Sequence, residues 1–260
     1  GITAVVGYSE CDRLSLAVNM ADEAYLLGPS PSPESYLNQD RIIEVALEAD
    51  CDALFPGYGF LAENADFAEK VVQAGLTWIG PPANAIRAMG DKANARRSLS
   101  AKGLPVTPGI EDVESADQIA KFAAEVGYPV LIKPVSGGGG KGMFEINEES
   151  EIEVALDTSR SVAAKAFGDD RIYVEKLILE PRHIEFQFLC DKHGNYVHLG
   201  ERECSVQRNH QKLLEEAPST KLTAEQREEI GTMVAKAMSD IGYVTAGTME
   251  FLMDARGELY

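Results

Sequence analysis

The stretch "YPVLIKPVSGGGGKGMFEI", residues 128–146, constrains the fold more than any other part of the chain. An apolar run enters Gly137, Gly138, Gly139 and Gly140, and Lys141 and Gly142 follow. Met143, Phe144, Glu145 and Ile146 then alternate with the two-residue period of a strand. The pattern predicts a strand–glycine loop–strand hairpin, a flap that lays backbone N–H groups over an anion. A flexible linker is the competing reading, and the flanking Lys133 and Lys141 favour phosphate. Gly137, Gly139 and Gly142 fit G-x-G-x-x-G, but a dinucleotide site needs a helix to follow directly. Lys141 is followed by Gly142 and Met143 rather than by Ser or Thr, so a P-loop is excluded as well.

Before this hairpin, short strands alternate with helices. "ITAVVGY" and "EAYLLG" read as strands, and the next helix carries Ile42, Ile43, Ala46 and Leu47 at helical spacing. "CDALFPGYGF" reads as strand then turn. "ENADFAEKVVQAG" reads as a helix with Phe67, Val71 and Val72 on one face, and "LTWIGPP" as a strand. This rhythm predicts a small parallel βαβ unit over residues 1–85. From residue 86 onward, helices separate from antiparallel-looking strands, "RIYVEKLI", "HIEFQFLCD" and "YVHLGERECSVQ", which predicts an α+β unit over 86–260. Ser115 is the expected N-cap of the helix "SADQIAKFAAEVG".

With 24 basic and 42 acidic residues the net charge is −18, which disfavours nucleic acid and anionic membrane as partners. No apolar run of about 18 residues suggests a membrane span, and no signal-peptide pattern suggests export. Cys11, Cys51, Cys190 and Cys204 form no C-x-x-C pair and read as reduced thiols of a cytoplasmic protein. The chain opens on an apolar strand-like run without Met, which reads as an excised or processed piece.

Charged residues interrupt strands that otherwise suit burial: Lys133 after "VLI", Glu175 and Lys176 after "IYV", Glu250 in "TMEFLM". In "HIEFQFL", Ile184, Phe186 and Phe188 share one face while His183, Glu185 and Gln187 share the other. Each alone is equally well a residue on a solvated sheet face; together they suggest a cleft. For His183 and His210 a core histidine is the bland alternative.

The segments "PGYGFLAEN", "GDKANA", "IKPVSGGGGKGM", "EKLILEPRHIEFQ", "GERECSVQRNHQKLLEEAP" and "AGTMEFL" resemble the biotin carboxylase component of biotin-dependent carboxylases, in the ATP-grasp superfamily. The resemblance runs over nearly the whole chain in the same order. It implies an α/β protein, a small parallel N-terminal unit followed by an ATP-grasp domain with an antiparallel sheet and a glycine-rich flap. It implies Mg²⁺ (or Mn²⁺) and ATP, bicarbonate activated to carboxyphosphate, and biotin on a carrier as the carboxylated substrate. Lys92 and Lys133 would hold phosphates, and Gly137 to Gly142, with Lys141 and Met143, would cover the triphosphate. Glu175, Lys176 and the backbone at Ile178 would read the adenine edge. His183 would lie near the ribose, Gln207 and His210 near the nucleotide, Lys212 at bicarbonate or carboxyphosphate, and Glu250 on magnesium. The implied partners are a biotin carboxyl carrier domain, a carboxyltransferase and a second copy of the component, in the cytoplasm or the mitochondrial matrix.

The sequence departs from the family pattern at both ends. The usual first strand and its "ANRGE"-like turn are missing, and the second magnesium carboxylate, the bicarbonate arginine and the glutamate base are expected beyond Tyr260. The isolated chain is therefore expected to bind Mg·ATP weakly, to be inactive alone and to associate through an uncovered sheet edge. A non-catalytic ATP-binding module and a ligase of the carbamoyl-phosphate synthetase type are the alternatives.

Overall fold

In the computed structural model, residues 1–90, 92–136, 142–208 and 211–260 are described, residues 92–94 by their backbone alone. The chain divides into two compact units, one formed by residues 1–90, 189–196 and 238–246, the other by 91–188, 197–237 and 247–260. The elements run β1 (Val5–Ser9), α1 (Leu16–Met20), β2 (Glu23–Gly28), α2 (Gln39–Glu48), β3 (Ala53–Leu54), α3 (Ala65–Gln73), β4 (Thr77–Trp78) and α4 (Ala83–Gly90). They continue as α5 (Lys92–Ala101), β5 (Gly109–Ile110), α6 (Ala116–Val126), β6 (Val130–Pro134), β7 (Phe144–Ile146), α7 (Ile152–Phe167) and β8 (Ile172–Lys176). Last come β9 (Arg182–Cys190), β10 (Tyr196–Arg208), β11 (Gln211–Glu216), α8 (Ala224–Asp240) and β12 (Thr245–Met253).

In the first unit the strand pairs are parallel, as the βαβ rhythm predicts: β1 with β2 from Val5↔Glu23, and β3 with β4 at Ala53↔Thr77. The core gathers Phe67, Ala68 and Val71 of α3 with Ala46, Leu76, Trp78 and Ile86. Phe67 meets Trp78 edge-on at 5.6 Å between ring centres, the arrangement that the ring quadrupoles favour. Two expectations about helix faces are corrected. Val72 and Leu47 are exposed, while Ala68 and Val45 are buried, because each buried stripe is narrower than the apolar arc in the sequence. The Asn64 side chain accepts from the Phe67 N–H at 2.8 Å and caps α3. Asn64→Ala is expected to cost about 1 kcal/mol, seen as a lower denaturant midpoint with an unchanged slope.

In the second unit one sheet has the order β5–β8–β6–β7 and the other β11–β10–β9–β12. β6 and β7 pair antiparallel, Ile132↔Phe144, so strands do flank the glycine segment on both sides. Residues 137–141 themselves lie outside the described residues. Val130, Ile132, Ile146, Ile172 and Val174 from this sheet pack with Ile119 and Phe122 of α6 and with Ile152 and Leu156 of α7. Ser115 is the N-cap of α6, as expected, and Gln118 accepts from its backbone N–H at 3.1 Å. In β9, Ile184, Phe186 and Phe188 are buried, and Phe186 meets Phe251 of β12 edge-on at 5.9 Å. After β12 the chain turns back, bridging Met253 to Leu259. Among the described residues no helix is long and apolar enough to cross a membrane.

Candidate functional site

Both sheets of the second unit carry polar side chains on strands whose neighbouring residues are buried. On the first sheet, β6 alternates, with Val130, Ile132 and Pro134 buried and Lys133 between them. Cross-strand register places Lys133 against Tyr173 of β8, with its ammonium 5.9 Å from the Tyr173 ring centre. Lys133 Nζ donates to Glu175 Oε1. Glu175, 6% exposed, also has Arg96 of α5 beside it, with Nη1 3.4 Å from Oε2. Burial, and then the Glu175 charge, push the Tyr173 hydroxyl up, so it stays neutral.

Lys176 follows Glu175 and its side chain faces elsewhere. Its ammonium donates to the carbonyls of Gly127 and Tyr128, both at 3.0 Å, and burial lowers its pKa. Ile178, just beyond β8, is buried. Gly142 has φ +76°, and its carbonyl accepts from the Ser159 hydroxyl at 2.7 Å. A Cβ there would fall 2.9 Å from Pro134 Cγ, so only glycine fits where the segment rejoins the sheet. Met143 is partly exposed beside it. The side chain of Lys92, residues Gly137 to Lys141 and His210 lie outside the described residues.

The second sheet brings together residues from four strands. Lys212 of β11 donates to Glu185 of β9 and, at 2.6 Å, to Glu250 of β12. Glu185 is buried and accepts from Arg202 Nε of β10 at 2.6 Å. Arg202 Nη1 in turn donates to Gln187 Oε1 at 3.2 Å, and Gln187 Nε2 to the Gly247 carbonyl at 2.8 Å. His183 Nε2 is buried and makes no aligned hydrogen bond among the described residues, although Glu250 Oε1 is 3.3 Å away. Gln207 Nε2 lies 3.2 Å from the other imidazole nitrogen, Nδ1.

These pairs set the charges. His183 first and Lys212 next hold the Glu250 carboxyl down at about 2, against burial that pushes it up. Burial works to lower the Lys212 pKa, but the ion pairs with Glu185 and Glu250 outweigh it and raise it. Burial likewise works to raise Glu185, and Lys212 and Arg202 overcome it. The result is an alternating line, Arg202–Glu185–Lys212–Glu250, in which Glu185, Lys212 and Glu250 are each shifted toward the charged form.

Among the described residues, ligand atoms of His183, Glu185 and Glu250 lie within 4.8 Å of one another. Magnesium takes oxygen donors, usually one or two carboxylates together with substrate phosphates. The Glu185 oxygens are engaged by Arg202 and Lys212, whereas the Glu250 side chain is 55% exposed. Glu250 is thus the carboxylate that fits a magnesium ion carried in by a polyphosphate.

The structure brings Lys133 and Glu175 together, and separately His183, Gln207, Lys212 and Glu250. The residue-by-residue expectations left Glu185, Arg202 and Arg96 without roles. The alternation of "HIEFQF" signals Glu185, since it shares a face with His183. Nothing in the sequence signals Arg96, whose partner is 79 residues away.

Residues 1–86 match the family model described as biotin carboxylase, N-terminal domain, and residues 91–260 match carbamoyl-phosphate synthase L chain, ATP binding domain. The chloroplastic biotin carboxylase of Arabidopsis thaliana is 48% identical over 261 residues, covering 100% of this chain and 49% of that protein. The alpha subunit of mitochondrial methylcrotonoyl-CoA carboxylase from Mus musculus is 47% identical over 261 residues, covering 100% of this chain and 36% of that protein. The chain thus spans 49% and 36% of the length of these relatives. The biotin carboxylase domain dimer of Hydrogenobacter thermophilus 2-oxoglutarate carboxylase, solved with MgADP, ADP and bicarbonate, superposes with a TM-score of 0.89 at 46% identity. That match covers 100% of this chain and 57% of the solved one.

Proposed function

The chain belongs to the biotin carboxylase family of the ATP-grasp superfamily, and from that premise we propose that it forms the nucleotide-binding part of an enzyme that activates bicarbonate with Mg·ATP and carboxylates biotin on a carrier protein. The observation that carries the reading is the line Arg202–Glu185–Lys212–Glu250. It fixes one ammonium between a buried carboxylate and an exposed one, where an anion and a metal–phosphate complex can meet.

In the proposed first step, a bicarbonate oxygen attacks the γ-phosphorus of ATP, the bond to the β–γ bridging oxygen breaks, and ADP leaves. The carboxyl group of carboxyphosphate then passes to N1 of biotin: the C–O bond to phosphate breaks, the N1–C bond forms, and the departing phosphate takes the N1 proton. Among the described residues Lys212 spends two of its three N–H donors, on Glu185 and Glu250, which leaves the third for a bicarbonate oxygen. Held charged by its two partners, it offsets negative charge without reorganising during the reaction. Magnesium at Glu250 would supply neutralisation of the transferring phosphoryl group.

Lys133 would turn from Glu175 to the phosphates, with Lys92 beside them and Gly137–Gly142, Lys141 and Met143 over the triphosphate. Glu175, the main chain of Lys176 and the Ile178 backbone would read adenine; the Lys176 ammonium is committed to two carbonyls. His183, Gln207 and His210 would line the nucleotide. We place the domain boundary near residue 85. The proposed partners are a carrier domain, a carboxyltransferase and a second copy of the protein, in the cytoplasm or mitochondrial matrix.

The match of residues 91–260 to a carbamoyl-phosphate synthase domain favours one second reading, another bicarbonate-using ligase. ADP release by the full-length protein, with and without bicarbonate and free biotin, separates the two. Release that requires bicarbonate, rises with biotin and is lost in Lys133→Ala is the expected result. Turnover that rises with ammonia or glutamine instead points to the second reading. Nucleotide binding with no bicarbonate-dependent turnover leaves an ATP-binding module.

A further inference from the structure

Arg96 and Arg97 stand side by side on α5 but go different ways. Arg97 pairs with Glu111 and its side chain is 58% exposed, whereas Arg96 turns inward to Glu175 and is 22% exposed. Arg96 Nη2 donates to the Thr107 carbonyl while Nη1 faces Glu175 Oε2. A missing side chain makes room for it. A Cβ on Gly109 would fall 3.1 Å from Arg96 Nη2, 3.3 Å from Glu175 Cβ and 2.9 Å from the Val174 carbonyl oxygen. Three elements, α5, β5 and β8, thus converge on one arginine–carboxylate pair.

Glu175 has a cation on each oxygen, Lys133 on Oε1 and Arg96 on Oε2. The two are not equivalent. Lys133 is a point charge on a flexible stem, and in the reading above it moves to a phosphate. Arg96 is tied to the Thr107 carbonyl and seated in the gap at Gly109. Once Lys133 leaves, Arg96 is the cation among the described residues that stays on Glu175 and orients it.

We propose that Arg96 is a positioning residue for base selection: it orients the Glu175 carboxylate, so that Oε1, released by Lys133, accepts from the exocyclic amino group of adenine. Guanine presents a carbonyl at that position and meets the carboxylate with like polarity, which supplies rejection as well as attraction. The proposal rests on the nucleotide-binding reading above and adds a base-selecting role for a residue outside it.

The test compares unmodified full-length protein with Arg96→Met and Arg96→Lys, using ATP and GTP in bicarbonate-dependent nucleotide turnover. ATP turnover by the unmodified protein checks the underlying reading; its absence overturns that reading independently of Arg96. Arg96→Met is expected to raise the KM for ATP roughly tenfold to a hundredfold, the range for a charge-assisted hydrogen bond. It should leave kcat within about twofold and narrow the ATP-over-GTP preference. Arg96→Lys, which restores a cation, should recover part of the preference. In a Glu175→Gln background, Arg96→Met should change the preference no further. Equal weakening of ATP and GTP, a fall in kcat at constant KM, or an undiminished effect of Arg96→Met in the Glu175→Gln background overturns the proposal. Should Arg96→Met fail to fold, Arg96→Gln removes the charge but keeps a donor for the Thr107 carbonyl, and the same outcomes decide.

Discussion

Lys212→Met in the full-length protein is expected to lower kcat for bicarbonate-dependent ADP release by roughly a hundredfold to a thousandfold, the range for removing one preorganised charge from a reacting anion. The KM for ATP should change by less than about threefold, since in the proposed scheme Lys212 faces bicarbonate rather than the nucleotide. The geometry behind this is the bridge from Lys212 to Glu185 and Glu250. Removing the ammonium sets two carboxylates toward one site with no cation between them, and an incoming anion meets repulsion where it had attraction. Lys212→Arg keeps the charge but replaces a compact ammonium by a planar fork, so it should restore anion binding better than turnover. A kcat for Lys212→Met within about twofold of the unmodified value would remove Lys212 from the chemistry.

The parts of this arrangement differ in how far they could be read from the chain. The face of β9 was legible, because Ile184, Phe186 and Phe188 alternate with His183, Glu185 and Gln187, and the structure buries the first set as expected. The hairpin around the glycine segment was legible for the same reason. β11 was not. "QKLLEE" has no alternation, and all six of its residues are exposed, so no buried face marks it as a strand. β5 was also missed; it is two residues long and exists through its pairing with β8, Gly109↔Glu175 and Ile110↔Val174.

At the site, the charged residues within apolar strands marked where function lies, since a sequence breaks its own burial pattern mainly at functional places. Their partners were hidden. The line from Arg202 through Glu185 and Lys212 to Glu250 takes one residue from each of four strands, and no local spacing encodes it. Arg96 was hidden more deeply. Within "KANARRSLSA" it reads as one of two solvated arginines, and its inward course depends on the absent side chain of Gly109.

Arg227→Leu is expected to destabilise the protein by about 3–5 kcal/mol, the cost of leaving a buried charge without its partner. The Glu201 side chain has no exposed surface and takes Arg227 in a two-pronged grip, Nε to Oε2 at 2.6 Å and Nη2 to Oε1 at 2.8 Å. Arg227 Nη2 also lies 3.2 Å from the Ser219 carbonyl, and the Ser219 N–H donates to Glu201 Oε1 at 2.9 Å. Two residues on, Glu203 accepts from the Ser219 hydroxyl at 2.7 Å and from Arg182. These contacts tie β10 to the segment after β11, and so brace the hairpin that carries Gln207 and Lys212. With Arg227 gone, Glu201 keeps, among the described residues, one backbone donor for two buried oxygens. Adding Glu201→Leu should recover much of the loss, because an apolar pair of similar volume removes the stranded charge altogether. The denaturant midpoint of each variant reads this directly. If the double variant were as unstable as the sum of both single changes, packing rather than the ion pair would be what holds this corner together.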